Sequence, residues 1–297
     1  MKDFPIPVIA TGLPGQVGPG SHADPGEDFS YLPIPRDVPT FSMPQVPEHA
    51  DAAHMAGARD VLARFVPTML QSGTVPVDLL RLPAGVVEVL NQTLGEGEVA
   101  IRIAHSNGAR HDIRIQETVF AGVWRERHLD PDGRLLLDHL LAAPIPPVAV
   151  QFAERSSTPV LPAIEIPPGA MNSPALLTEI RNAVATYRPE VAAGVEAHVV
   201  NLTLLPLTPQ DHTLLDRALP PGSVAILSRG FGNCRVSSTT IRHLWRVQYF
   251  NSMQTLILNT LEITRVPEVA LAAQEDLADS RERLVELIEW MSDSATA

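Results

Sequence analysis

Cysteine is almost missing from this sequence: Cys234 stands alone among 297 residues. A single thiol closes no disulfide within the chain, so nothing calls for an oxidising compartment. Nor can it supply the several thiolates that hold an iron–sulfur cluster or a structural zinc. Aromatic residues are scarce at 5%, and basic residues are outnumbered, 22 Lys and Arg against 34 Asp and Glu, for a net charge of −12. A nucleic-acid binder needs a basic face to displace counterions, so that class is set aside. No run approaches the roughly 18 apolar residues of a membrane span. The opening MKDFPIPVIATGLPG also lacks the apolar stretch of a secretory signal. The expectation is a cytoplasmic protein with no membrane partner. HExxH, GxSxG and P-loop patterns are absent too, and GLPGQVGPG is broken by prolines with no Lys-Ser/Thr to follow. No catalytic constellation is recognisable, so the chain reads as a non-enzyme that needs no cofactor.

What is abundant is proline, at 28 residues, within a chain that is 45% hydrophobic. Residues 1–48 carry a heavy share of Pro and Gly, which excludes a persistent helix or central strand. This stretch reads as an extended arm, with a disordered tail as the alternative. Its apolar residues, among them Phe29 and Tyr31, are candidates for lying along a partner. Helical spacing predicts helices over 49–72, interrupted near Pro67, over 174–186, and over 267–291. The last carries a stripe of Leu277, Leu284, Leu287, Ile288 and Met291 that reads as core-covering.

The chain also repeats itself. LNQTLGEGEVAI (90–101) aligns with LDRALPPGSVAI (215–226) at an offset of 125, with six identities. From Arg114–Arg235 to Val150–Leu271 the offset is 121 without a gap, and ten positions are identical. About two or three would match by chance in a stretch of that length. Each copy reads as a strand, a Gly-containing turn, a long strand that bends (DIRIQETVFAGVWRERH, CRVSSTTIRHLWRVQYF), and a further strand (RLLLDHLLAAPIP, TLILNTLEITRVP). The β-branched residues of the second copy favour strand in this last element, whereas the first copy alone resembles a helix. The expected fold is α+β: two sequence-related repeats, 49–165 and 166–297, after the extended arm. Each repeat is read as a small antiparallel sheet with helices on one face, the two packed as a pseudo-symmetric pair.

SRGFGNCRVSST, WRVQYFNS, LILNTLEIT, VPEVALAAQEDLADSRERLVELIEW, LGEGEVAI, QETVFAGVW and the leading GPGSHADPGEDFSYLPIPRDVPTF together resemble the HupH/HyaF family of hydrogenase expression/formation proteins. The resemblance covers nearly the whole chain. It implies an accessory protein for an uptake [NiFe] hydrogenase, a chaperone that binds the iron–sulfur small-subunit precursor before export. Other maturation factors are open as further partners. At Arg246 the family often has an aromatic, so no role is carried to that residue.

The duplication bears on Cys234. Its counterpart is Ile113, and strand alternation sends the neighbouring Arg235 to the opposite face, so a small buried hydrophobe is the simpler reading. A reactive thiol in a redox or cluster-repair factor is the alternative, since divergence between copies is also how function arises. A transient metal carrier is a further alternative. It would use some of the histidines at 22, 49, 54, 105, 111, 128, 139, 198, 212 and 243, although His49 and His54 miss the four-residue spacing of a helix face. Trp124 and Trp245, at matching positions, read as core anchors. For partner binding, Gln248, Tyr249, Phe250 and Asn251 combine aromatic surface with amides and have no close counterpart in the first copy. Glu275 and Asp276 form an acidic turn suited to a basic segment of a partner, such as a twin-arginine export signal.

Overall fold

The structure is a computed structural model and describes residues 51–70, 75–104, 112–189, 197–230 and 232–294. The arm over 1–48, with Phe29 and Tyr31, lies outside these residues, as do His22, His49, His105 and His111. Helix α1 (Ala52–Phe65) runs into a 3-10 turn at Val66–Leu70, where Pro67 breaks the α-helical ladder. There follow β1 (Val77–Asp78), α2 (Ala84–Leu94), β2 (Val99–Ile103), β3 (Asp112–Glu117), β4 (Val123–Leu129), β5 (Leu135–Ala142) and α3 (Pro147–Arg155). The second half brings α4 (Ser173–Thr186), β6 (His198–Asn201), α5 (Pro209–Ala218), β7 (Pro221–Ser228), β8 (Asn233–Thr239), β9 (Leu244–Phe250), β10 (Leu256–Ile263) and α6 (Gln274–Ser294).

The expectation of a separate small sheet in each repeat is corrected. The ten strands among the described residues form one antiparallel sheet in the order β1-β5-β4-β3-β2-β7-β8-β9-β10-β6, and the two copies join edge to edge through β2 and β7. The order is a palindrome, so the repeats are related by a pseudo-two-fold axis between those strands. Joining them pairs two edges that would otherwise stand open to solvent or aggregation.

The long bending strand of each copy is a hairpin instead. Thr118 and Thr239 begin its two turns, and each hydroxyl donates to the carbonyl and accepts from the amide of the residue two further on, Phe120 and Ile241. Both turns then need a left-handed residue, Gly122 (φ 74°) in the first and His243 (φ 61°) in the second. Gly122 takes that conformation freely and lies where an added Cβ would strike Leu277, while His243 bears the cost of a side chain.

Helices lie on both faces rather than one. One face presents Ile101, Ile103, Ile113, Ile115, Val224, Ile226, Val236 and both tryptophans to α3, through Ala149, Val150 and Ala153. The opposite face carries a helical group at each end. Leu140 and Val123 meet α1, α2 and α6, while Leu244, Leu261 and Ile263 meet α4 and α5. The indole of Trp124 donates to the Ala143 carbonyl at 2.9 Å and that of Trp245 to the Arg265 carbonyl at 3.2 Å, so each buried ring is satisfied.

The copies part after Pro146 and Pro267. In the first, the chain continues into α3; in the second, a single 3-10 turn (Glu268–Ala270) gives way to α6. That helix begins later than the 267 expected and buries Leu284 and Met291 against α1. It therefore ties the end of the second copy to the helices of the first.

Candidate functional site

The sequence-selected residues fall in separate places. On β9, Gln248 and Phe250 share the face that carries the helical pairs, while Tyr249 points to the α3 face in register with Cys234 and Leu258. Gln248 is buried, and Phe250 lies beneath the Arg235 guanidinium at 5.3 Å from its ring centre. Asn251 shapes the β9–β10 turn: its Oδ1 accepts from the amides of Met253 and Thr255, each at 2.9 Å. Met253 and Ile257 add exposed apolar surface beside it.

Cys234 is fully buried among Val236, Val224 and the two tryptophans. Burial, against a hydrogen bond from Tyr249, pushes its thiol up to about 11. Activated thiols are accessible and electropositive in surroundings, and their pKa moves the other way. The Tyr249 hydroxyl is likewise pushed up, to about 12, first by burial and then by Cys234.

The histidines are scattered. His54 packs against Gly85 where α1 crosses α2, His128 bonds Glu126 at 2.6 Å, and His198 bonds Glu179 at 2.9 Å. His243 stacks at a tilt on Tyr187. Among the described residues no three His, Cys, Asp or Glu side chains converge to hold a metal ion. No helix among them is long and apolar enough to cross a membrane.

A cavity of about 380 Å³ gathers the remaining sequence candidate with residues that sequence reasoning missed. It opens where β2 and β3 meet the segment leading into α6. Among its described lining residues are Glu98, Glu117 and Asp276, with Trp124, Val119 and Val269 as apolar walls and no Lys, Arg or His. Asp276, in the first turn of α6, sits where the helix dipole favours a negative charge, as does the exposed Glu275 beside it. Gly230 lets the Glu98 carboxylate lie against the backbone, since a Cβ there would come within 2.2 Å of its Oε2.

Glu117 is the buried member, 8% exposed. Its Oε1 accepts from the Gly122 amide at 2.9 Å, and its carbonyl accepts from the Gly97 amide at 2.7 Å. Burial first, then the nearby Glu98 and Asp276, outweigh the Gly122 hydrogen bond and push its carboxyl up from 4.5 to about 7. One hint stood in the sequence: Glu117 aligns with Ser238, so a buried carboxylate replaces a hydroxyl between otherwise matching strands. The arrangement suits a cation. A guanidinium or ammonium entering this cavity would meet up to three carboxylates, and its arrival would draw Glu117 into the ionised state.

Comparison with known proteins places these features in context. The sequence model of the conserved region described as "HupH hydrogenase expression protein, C-terminal conserved region" matches over two segments, residues 58–159 and 170–291, one in each copy. The hydrogenase expression/formation protein HoxQ of Cupriavidus necator is 41% identical over 98% of this chain and 99% of its own. The hydrogenase-1 operon protein HyaF of Escherichia coli K12 is 31% identical over 94% and 96%. Among solved structures, the hydrogenase expression protein HupH of Thiobacillus denitrificans is 26% identical and covers 40% of this chain and 95% of its own, with a TM-score of 0.35.

Proposed function

Because the chain belongs to the HupH family of hydrogenase expression proteins, we propose that it is a chaperone for the iron–sulfur small-subunit precursor of an uptake [NiFe] hydrogenase, acting in the cytoplasm before export. The relatives are named as hydrogenase expression/formation proteins, which supports an accessory role in hydrogenase maturation. The observation that carries the finer reading is the acidic cavity. Glu98, Glu117 and Asp276 line one opening free of basic residues among those described, a receptor for a cationic side chain of the precursor's basic export segment. The Tyr249–Asn251 end of β9 and the exposed Met253 form a second contact of mixed aromatic and amide character. The arm, through Phe29 and Tyr31, is a third.

The test is retention. Tagged full-length protein should retain the co-expressed precursor through purification, and Glu117→Gln combined with Asp276→Asn should weaken that retention at least tenfold while leaving the thermal unfolding midpoint at neutral pH no lower. Failure of the unaltered protein to hold the precursor near physiological concentration overturns the chaperone reading. Undiminished retention by the double variant overturns the assignment of the cavity alone.

A further inference from the structure

The face of the sheet between the two helical groups carries a second feature, opposite in charge. Across three adjacent strands, Arg102 of β2, Arg114 of β3 and Arg127 of β4 stand directly opposite one another in register. The same row continues over β7 and β8 through two small residues, Ala225 and Ser237, and ends at Arg246 of β9. One rung away Arg235 joins from β8, the counterpart of Arg114 in the second copy. Neighbouring strands lie about 4.8 Å apart, and like charges directly opposite one another on a sheet repel. In a chain of net charge −12, such a row is not a product of composition.

Internal partners offset only part of this charge. Asp112 serves both Arg102, at 3.2 Å, and Arg114, at 2.8 Å. Asp138 and Asp216 are taken by Arg125 and Arg246. Arg127 and Arg235 meet no carboxylate in an ion pair among the described residues, and the Nε of each is buried without a hydrogen-bond partner. Burial lowers the pKa of both guanidiniums; for Arg235 it is the sole cause, while for Arg127 burial and the neighbouring Arg125 outweigh the partial compensation from Asp138, opposite it in register, and Glu96. Among the described helices, only α3 packs extensively on β2 or β7, and it does so from the other face. The strip is floored by arginines from both copies, and α2 reaches its one side through Asn91 on Arg125 while α5 reaches the other through Asp216 on Arg246.

We propose that this arginine-floored trough is a docking site for an acidic polypeptide segment of a protein partner, engaged by Arg102, Arg114, Arg127 and Arg235. Guanidinium forks match carboxylates two bonds at a time, and half-buried arginines have already lost much of their hydration. The chain's negative field opposes a long polyanion such as nucleic acid, whereas a short segment with a few carboxylates meets mainly the local row. The trough is distinct from the acidic cavity and stands whichever hydrogenase protein the chain serves.

Fluorescence anisotropy on the full-length protein tests this, with a short Glu-rich peptide and a single-stranded oligonucleotide as probes. At low salt the Glu-rich peptide should bind, and raising salt to about 0.3 M should weaken it through screening. The Arg114→Ser/Arg235→Ser double variant should lose about tenfold or more in affinity. Arg134→Ser, at an exposed hairpin tip, removes one positive charge elsewhere and should leave binding unchanged. Absence of peptide binding, equal loss in Arg134→Ser, or no loss in the double variant overturns the proposal. So does tighter binding of the oligonucleotide, which would make the row a nucleic-acid site.

Discussion

The two halves solve one electrostatic problem with the same parts in exchanged positions. In the first, Arg125 on β4 donates to Asp138 on β5 at 2.8 and 2.6 Å and to the amide oxygen of Asn91 on α2. In the second, Arg246 donates to Asn259 on β10 at 3.1 Å and to Asp216 on α5 at 2.9 Å. Asp138 corresponds to Asn259 and Asn91 to Asp216, so each arginine keeps one carboxylate and one amide, with the carboxylate moved from strand to helix. Where the halves agree in this way, the position holds the fold. Where they differ without compensation, as at Glu117 against Ser238, the difference produces the acidic cavity; the arginine row combines the shared pair Arg114 and Arg235 with positions that differ, such as Arg102 against Leu227. Divergence between copies thus marks the acidic cavity apart from the shared architecture, whereas the arginine row draws on both shared and divergent positions.

The sharpest test of agreement is the tryptophan pair. Trp124→Ala and Trp245→Ala each remove a fully buried indole from one continuous core and should each cost about 3–5 kcal/mol. Because both belong to a single sheet, urea unfolding of either variant should show one transition monitored by fluorescence and circular dichroism alike. Separate transitions for the two halves would break the single-sheet account.

Disagreement is tested next, at Glu117. A carboxyl whose pKa is raised in the folded state binds its proton more tightly there than when unfolded. Its contribution is therefore fully present below the unfolded value of 4.5 and is lost as pH rises through about 7. The span corresponds to about 3 kcal/mol. Glu117→Ser, which installs the residue of the second copy, should flatten the stability profile between these limits and leave the variant more stable than the parent at pH 8. A parallel profile in the two proteins would show that Glu117 is not held neutral.

The arginine exchange predicts a smaller effect with a distinctive rescue. Asp138→Asn leaves Arg125 with two amides and should cost about 2 kcal/mol, less than a fully buried pair because the arginine is part-exposed. Adding Asn91→Asp recreates the arrangement around Arg246 and should recover most of that loss, a coupling of about 1–2 kcal/mol in a double-mutant cycle. Additive losses would mean that the correspondence is only one of sequence.

Much of this was legible beforehand, and the failures have definite causes. The duplication was visible because Trp124, Arg125, Thr118 and Pro146 recur at one spacing, and that spacing made RLLLDHLLAAPIP a strand despite its helical look. The hairpin turns were hidden because Val119, Phe120 and Ile241 are apolar: they turn away from the strands into the helical cores, and a turn without polar residues reads as continuing strand. Helices α2, α3 and α5 went unrecognised, though α5 carries a capping box at Thr208 and Asp211 with Pro209 at its first position. The edge-to-edge joining of the sheets could not be read, since nothing local records which strand β2 pairs with. The arginine row was invisible for the same reason, as it exists only across neighbouring strands in register. The acidic cavity was half legible, through Asp276, whereas Glu117 and Glu98 reach it by tertiary folding.

Cys234 gives the smallest expected change and the closest comparison, because Ile113 holds the matching place. Both side chains are essentially inaccessible, 0% and 1%, and both belong to the core beneath α3. If the thiol is only a small hydrophobe there, Cys234→Ala should cost about 1 kcal/mol through loss of the sulfur's contacts. Cys234→Ile, the first copy's residue, overfills a site adjusted to sulfur and should cost about 1–2 kcal/mol. In the folded protein the thiol should react with a disulfide reagent only as fast as the sheet opens, and denaturant should release it at once. Hydrogenase maturation in cells should continue with the alanine variant. Loss of maturation by a Cys234→Ala protein that folds and still retains the precursor would assign the thiol a chemical task, and its divergence from Ile113 would then belong with Glu117 rather than with the core.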